Sequence, residues 1–177
     1  MIGVLVSGRG TNLQALLDEG LPVVAVASNR PEARALARAE AFGAKTGVFA
    51  LESYADREAR DIAMADWLTA HGVNFVVLAG YMHRLTEAFL ERFPGQIVNV
   101  HPSLLPEFPG ARAIDDALEA GVPTTGVSVH HVDAGLDTGP VIVQEPVAVE
   151  PRDTLVDRIR AVEHRLLPKV VRELSAH

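Results

Sequence analysis

Residues 96–110, Gln-Ile-Val-Asn-Val-His-Pro-Ser-Leu-Leu-Pro-Glu-Phe-Pro-Gly, constrain the fold more than any other stretch of the chain. Ile97, Val98 and Val100 have the apolar, β-branched character of a buried strand, and Asn99 and His101 interrupt it at its carboxyl end. Residues two apart on a strand point to one face, so the amide and the imidazole should share a space. Pro102 lacks the N–H that a ladder needs and ends the strand. The segment that follows, with three prolines counting Pro102 and with Leu104 and Leu105, is too stiff for an ordinary solvent loop. A polar pair at a strand tip followed by a rigid loop is how an open α/β sheet presents a catalytic site. Taken alone, Asn-x-His fits strand-end capping with a satisfied histidine equally well.

The residues before this stretch supply such a sheet. Residues 2–6 read as a buried strand, followed at once by Ser7-Gly8-Arg9-Gly10-Thr11-Asn12 and by Leu13, Leu16 and Leu17 on helical spacing. Strand, glycine loop and helix aim free backbone N–H groups at an anion. Thr11 or Asn12 is placed to cap the helix. The loop lacks the third glycine of the dinucleotide fingerprint and the Gly-Lys-Ser/Thr of a Walker loop. An ordinary tight βα turn stays open as its explanation. Strands are expected at residues 22–28, 46–49 and 74–79. Helices are expected from Pro31 to Gly43, over 57–71 with Ile62, Met64, Ala65 and Leu68 on its apolar stripe, and over 86–92.

The pattern changes beyond residue 110. A helix over 111–120 leads to two strands, 125–132 and 141–149, joined by a glycine- and acid-rich loop, and a last helix capped by Asp153 or Thr154 runs to about Leu174. The fold class is therefore α/β, with a doubly wound, mostly parallel sheet and an antiparallel strand pair in the C-terminal half. A chain of 177 residues fits a single domain, 1–177, with halves at 1–98 and 99–177. No apolar run approaches the about 20 residues of a membrane span, and no basic leader precedes Ile2. Cysteine is absent, so a reducing cytoplasm is the expected compartment and a thiolate metal site is excluded. A net charge of −7 argues against broad nucleic-acid binding, whereas a small anion can still be held locally.

Four blocks then carry a resemblance: Ser-Gly-Arg-Gly-Thr-Asn-Leu at 7–13, Leu-Ala-Gly-Tyr-Met at 78–82, Asn-Val-His-Pro-Ser-Leu-Leu-Pro at 99–106 and Leu-Asp-Thr-Gly-Pro-Val-Ile at 136–142. In this order they closely resemble the glycinamide ribonucleotide formyltransferases, folate-dependent enzymes of purine synthesis, over essentially the whole chain. The resemblance implies a formyltransferase fold that is Rossmann-like in its N-terminal half. It implies that Asn99, His101 and Asp137 are the catalytic trio. Gly10, Thr11 and Asn12 would hold the substrate phosphate with Arg57 as cation, and Gly80, Pro102 and Glu163 would line the rest of the ribonucleotide site. The pteridine of 10-formyltetrahydrofolate would lie against Met82, Leu85 and Val132, under the loop Asp133, Ala134, Gly135, Leu136 and Asp137. Ser103 and His130 would support the site, Glu163-His164 matches a Glu-His pair of the family, and the Leu105–Pro106 bond is cis in relatives.

Three positions depart from the family's pattern. His83-Arg84 stand where a basic residue precedes an aliphatic one, Arg112 where histidine is common, and Arg160 where an uncharged polar residue is usual.

The expected chemistry needs no metal and no covalent intermediate. An amine attacks the formyl carbon, and Asn99 with a protonated His101, favoured by the Asp137 carboxylate, donates to the oxyanion, each donor being worth about 3 kcal/mol. A water held by Asp137 and His101 would relay the proton. The expected partners are the two small molecules, with neither nucleic acid nor membrane, acting on a monomer or homodimer. The runner-up is a formyltetrahydrofolate hydrolase with the same trio, whose relatives usually carry an N-terminal regulatory domain. Methionyl-tRNA formyltransferase would need a C-terminal RNA-binding domain beyond His177. An inert nucleotide-binding module should have lost a member of the trio.

Overall fold

Seven strands form one sheet in the computed structural model, which describes residues 1–177. They are β1 (Ile2–Val6), β2 (Val23–Ser28), β3 (Lys45–Val48), β4 (Phe75–Leu78), β5 (Ile97–His101), β6 (Thr124–His131) and β7 (Val141–Ala148), in the spatial order β3-β2-β1-β4-β5-β6-β7. The pairs among β1 to β5 are parallel, and β5–β6 and β6–β7 are antiparallel. The mixed sheet is the one expected, and it runs through both halves of the chain. The strand order reverses between β1 and β4, which opens a crevice beyond their carboxyl ends.

The helices are α1 (Thr11–Asp18), α2 (Arg34–Ala41), α3 (Arg57–Ala70), α4 (Glu87–Leu90), α5 (Ala113–Ala120) and α6 (Leu155–Ser175). None is long and apolar enough to cross a membrane. The pleat divides the core between the sheet's two faces. Ile2, Val4 and Val6 of β1 and Val98 and Val100 of β5 pack with α1, α2 and α6. Leu5 and Ile97 pack on the other face with α3 and Phe89 of α4. Asn99 and His101 share the side-chain parity of Ile97, so their pointing into one space follows from the period of the strand.

Several local details differ from the sequence reading. No side chain caps α1; Gly10 is its N-cap, in the left-handed region at φ 78°. A Cβ there would lie 2.6 Å from the Ala35 Cβ of α2, so glycine is required by close helix approach as well as by φ. Pro31 lies in a turn and α2 starts three residues later, at Arg34. The buried stripe of α3 is Met64, Ala65 and Leu68 together with Arg60 and Asp61, while Ile62 is exposed. Arg60 and Asp61 can be buried because they pair at 2.7 Å. Thr154 precedes α6 without a side-chain capping bond, following a 3₁₀ turn at Arg152–Thr154. The Leu105–Pro106 peptide is cis, as is Glu150–Pro151.

Candidate active site

Loops from the carboxyl ends of β1, β4 and β5 meet the β6–β7 connection around one cleft of about 410 Å³. Asn99 and His101 line its centre from β5. Opposite Asn99 in the antiparallel ladder stands His130 of β6, which lines the cleft as well. Asp137 arrives from the β6–β7 loop and completes a group of four.

The hydrogen bonds of this group assign the roles of its nitrogens. His101 Nε2 lies 2.8 Å from the Phe108 carbonyl, which can only accept, so Nε2 carries a hydrogen. Nδ1 of the same ring is left facing Asp137 Oδ2 at 3.6 Å. For His130 the argument reverses. Its Nδ1–H donates to the His131 carbonyl at 2.9 Å, and burial holds the ring's pKa below the usual histidine value. Nε2 of the neutral ring therefore accepts from the Asn99 amide at 3.3 Å, which turns the nitrogen of that amide toward His130.

Asp137 is placed by its backbone. It adopts φ 53°, a left-handed conformation uncommon for residues other than glycine and asparagine, and its Oδ2 accepts the Gly110 N–H at 2.8 Å. Its Oδ1 lies 3.8 Å from His130 Nε2, so one nearly buried carboxylate faces both imidazoles. Within the same loop Asp133 accepts from Thr138 Oγ1 at 2.6 Å and from Gly135 N at 3.0 Å. The Thr138 bond, with the Gly135 bond behind it, lowers the Asp133 pKa. Gly139 has no room for a side chain, since a Cβ would lie 1.8 Å from the His131 carbonyl oxygen.

The two ends of the cleft differ in character. At one end stand Thr11 and Asn12 of α1 with Arg160 and Glu163 of α6. The Asn12 amide donates to Glu163 at 3.3 Å, and burial raises the Glu163 pKa. Arg160 makes no ion pair there. At the other end Met82, Leu85, Val132, Gly135 and Leu136 form an apolar wall, and Asp133 joins them. Gly80 and Pro102 line the middle. Four of the residues singled out from the sequence lie off the lining. Gly10 is walled in by Ala35. Arg57 stands at the start of α3, where its charge is felt by Tyr81 and His83. Ser103 is fully buried, donates to the Glu107 carbonyl and takes the Ser128 hydroxyl on its own carbonyl. Ala134 turns its carbonyl to Arg84.

Sequence reasoning missed Ile114, Val156 and Ile159, which close the cleft from α5 and α6. Apolar residues at helical spacing read as core, and nothing in their type distinguishes a cleft wall.

Known proteins resemble the chain over nearly its whole length. The family model described as formyl transferase matches residues 1–171. The chain is 38% identical to the phosphoribosylglycinamide formyltransferase of Bacillus subtilis (strain 168), over 97% of this chain and 92% of that protein. It is 42% identical to the trifunctional purine biosynthetic protein adenosine-3 of Chironomus tentans over 99% of its length, spanning 14% of that longer protein. Among solved structures, glycinamide ribonucleotide transformylase 1 from Symbiobacterium toebii superposes with a TM-score of 0.93 at 47% identity, covering 97% of this chain and 85% of that one.

Proposed function

The chain belongs to the formyl transferase family, and we propose that it transfers the formyl group of 10-formyltetrahydrofolate to the amine of glycinamide ribonucleotide. The products are formylglycinamide ribonucleotide and tetrahydrofolate, a step of purine synthesis. One observation carries this reading: a single cleft has a polar end and an apolar end, and Asn99, His101 and Asp137 stand between them. A phosphorylated sugar suits the Thr11, Asn12, Arg160 and Glu163 end, and a flat heterocycle suits the Met82, Leu85 and Val132 wall.

The amine nitrogen attacks the formyl carbon and an oxyanion develops. The Asn99 amide, its orientation set by His130, donates to it. His101, whose Nε2–H is committed to Phe108, joins through Nδ1 only when that nitrogen also carries a proton. As the intermediate collapses, the bond from carbon to N10 of the folate breaks, the amine loses one proton and N10 gains one. Asp137 and His101, 3.6 Å apart, can pass that proton through a shared water. Arg160, rather than Arg57, supplies the cation for the phosphate in this reading.

The test mixes protein with 10-formyltetrahydrofolate, with and without glycinamide ribonucleotide, and follows tetrahydrofolate release. Release that requires the ribonucleotide is expected. Release in its absence would mark a hydrolase, and no release under either condition would sink the reading.

A further inference from the structure

Residues 81–86, which connect β4 to α4 and supply the Met82 and Leu85 wall, are fastened from beneath by a chain of buried polar groups. The Met82 N–H donates to Ser7 Oγ at 2.9 Å, and the Ser7 hydroxyl lies 2.6 Å from Asn29 Oδ1, to which it donates with the amide as placed. Asn29 lies 3.3 Å from Nε2 of His83, whose Nδ1 lies 3.0 Å from Nη1 of Arg60. Arg60 pairs with Asp61, and Asp61 Oδ2 accepts from the Thr86 N–H at 2.8 Å and from its hydroxyl at 2.9 Å. The chain thus begins and ends on the segment it holds. Ser7, Asn29, Arg60 and Asp61 are all buried, the last two completely.

Chemistry fixes the state of the ring in the middle. A guanidinium only donates, so His83 Nδ1 must offer a lone pair and the ring's single hydrogen sits on Nε2. For that hydrogen to meet an acceptor, the Asn29 amide must exchange its isosteric oxygen and nitrogen, so that the oxygen faces His83 Nε2 and the nitrogen faces Ser7 Oγ. A second proton on His83 would face Arg60 directly. Burial and the Arg60 and Arg57 charges, and least of all Arg30, lower its pKa, against Asp61 alone.

We infer that His83 is a positioning residue for the formyl donor: as a neutral ring between Asn29 and Arg60 it fixes the Met82–Leu85 wall and touches no reacting atom. The inference rests on reading that wall as the folate wall. A lysine or arginine at position 83 would set a second cation against a fully buried arginine.

The test compares His83→Gln, His83→Ala and His83→Lys with wild type. Glutamine carries an acceptor for Arg60 and a donor for Asn29, so it should keep the KM for 10-formyltetrahydrofolate near wild type. Alanine should raise that KM about tenfold, the size expected for losing a hydrogen bond to a charged group, and lysine should raise it further. kcat at saturating donor and the Kd for glycinamide ribonucleotide should hold in all three. Two readouts are independent of turnover. Nitrogen NMR of the His83 ring in the wild-type protein should find its hydrogen on Nε2, and amide exchange at Met82 and Thr86 should quicken in alanine and lysine variants only. Equal KM values, a lysine variant as good as glutamine, or a hydrogen on Nδ1 would overturn the inference. If wild type shows no formyl transfer, the folate reading fails by itself, and the exchange and NMR results still decide whether His83 holds the segment.

Discussion

The Asn99 amide and the His130 ring face each other across the β5–β6 ladder at 3.3 Å, and the neutral state of the ring keeps the amide turned. His130 takes up a proton in the fold only below the pH at which a free histidine does, because burial lowers its pKa. The unfolded chain therefore binds more protons in that window. The stabilising contribution of the neutral ring is complete above the ordinary histidine pKa and is lost as pH falls through the lowered one. The same protonation makes Nε2 a donor and ends its hold on Asn99. Wild-type kcat and Tm should both fall on the acid side. In His130→Gln, where the amide oxygen can accept from Asn99 without titrating, that limb of both profiles should flatten. An unchanged acid limb of kcat in His130→Gln would show that another group sets it.

Asp137 and His101 should act as a unit. Asparagine tolerates the left-handed φ of residue 137 and keeps an oxygen for the Gly110 N–H, so Asp137→Asn should leave Tm nearly unchanged. Its kcat should drop by about 10²-fold to 10⁴-fold, since the variant removes the carboxylate that faces His101 Nδ1. His101→Ala should fall as far, and the double variant should be no worse than the poorer single one. Kinetics of the three variants check this, and losses that multiply would refute the coupling.

The mixed sheet and the placement of Asn99 and His101 were legible in the sequence because they depend on period and on chain punctuation, whereas the strand order was not. A two-residue repeat sets the face of β5, and Pro102 sets its end. Asp137 and the Met82, Leu85 and Val132 wall became candidates through the resemblance to relatives. The illegible parts depend on geometry between distant segments. Gly10 is read from sequence as a phosphate-loop glycine, yet Ala35 of α2 already demands it. Arg60 and Asp61 look like a solvated helical charge pair, and only the packing of residues 81–86 over α3 buries them. Arg57 is the cation read from sequence and Arg160 only a departure from the family's pattern, and the placement of the helices is what puts Arg160, not Arg57, on the cleft.

That last distinction yields a paired prediction. Gly10→Ala should lower Tm by several degrees, since the substitution forces a Cβ against Ala35 at a positive φ, a destabilisation of about 1–3 kcal/mol. Arg160→Gln should leave Tm alone and weaken glycinamide ribonucleotide binding by about tenfold, as for loss of one charge-assisted bond to phosphate. Arg57→Gln should leave ribonucleotide binding unchanged. Calorimetric titration with the ribonucleotide separates the cases; equal weakening by the Arg57 and Arg160 variants would return the phosphate cation to the assignment made from sequence.

Arg84 raises the question of what an exposed cation does at the cleft mouth. Read from sequence alone, Arg84 is solvated surface or, if it projects into the folate entrance, a cation facing an anionic tail of the folate. In the fold one Nη group donates to the Ala134 carbonyl, tying residues 81–86 to the loop that carries Asp133 and Asp137. The remaining donors of the guanidinium are free, so latch and charge are separable roles. Arg84→Gln keeps a donor for Ala134 and removes the charge, whereas Arg84→Leu removes both. If the latch governs, leucine should raise the KM for 10-formyltetrahydrofolate several-fold, glutamine should restore most of it, and neither effect should depend on salt. If charge governs, glutamine should behave as leucine, the penalty should be larger for donors with longer anionic tails, and it should fade as ionic strength shortens the Debye length. The hydrogen bond to Ala134 favours the first outcome, and KM for the two variants at low and high salt decides between them.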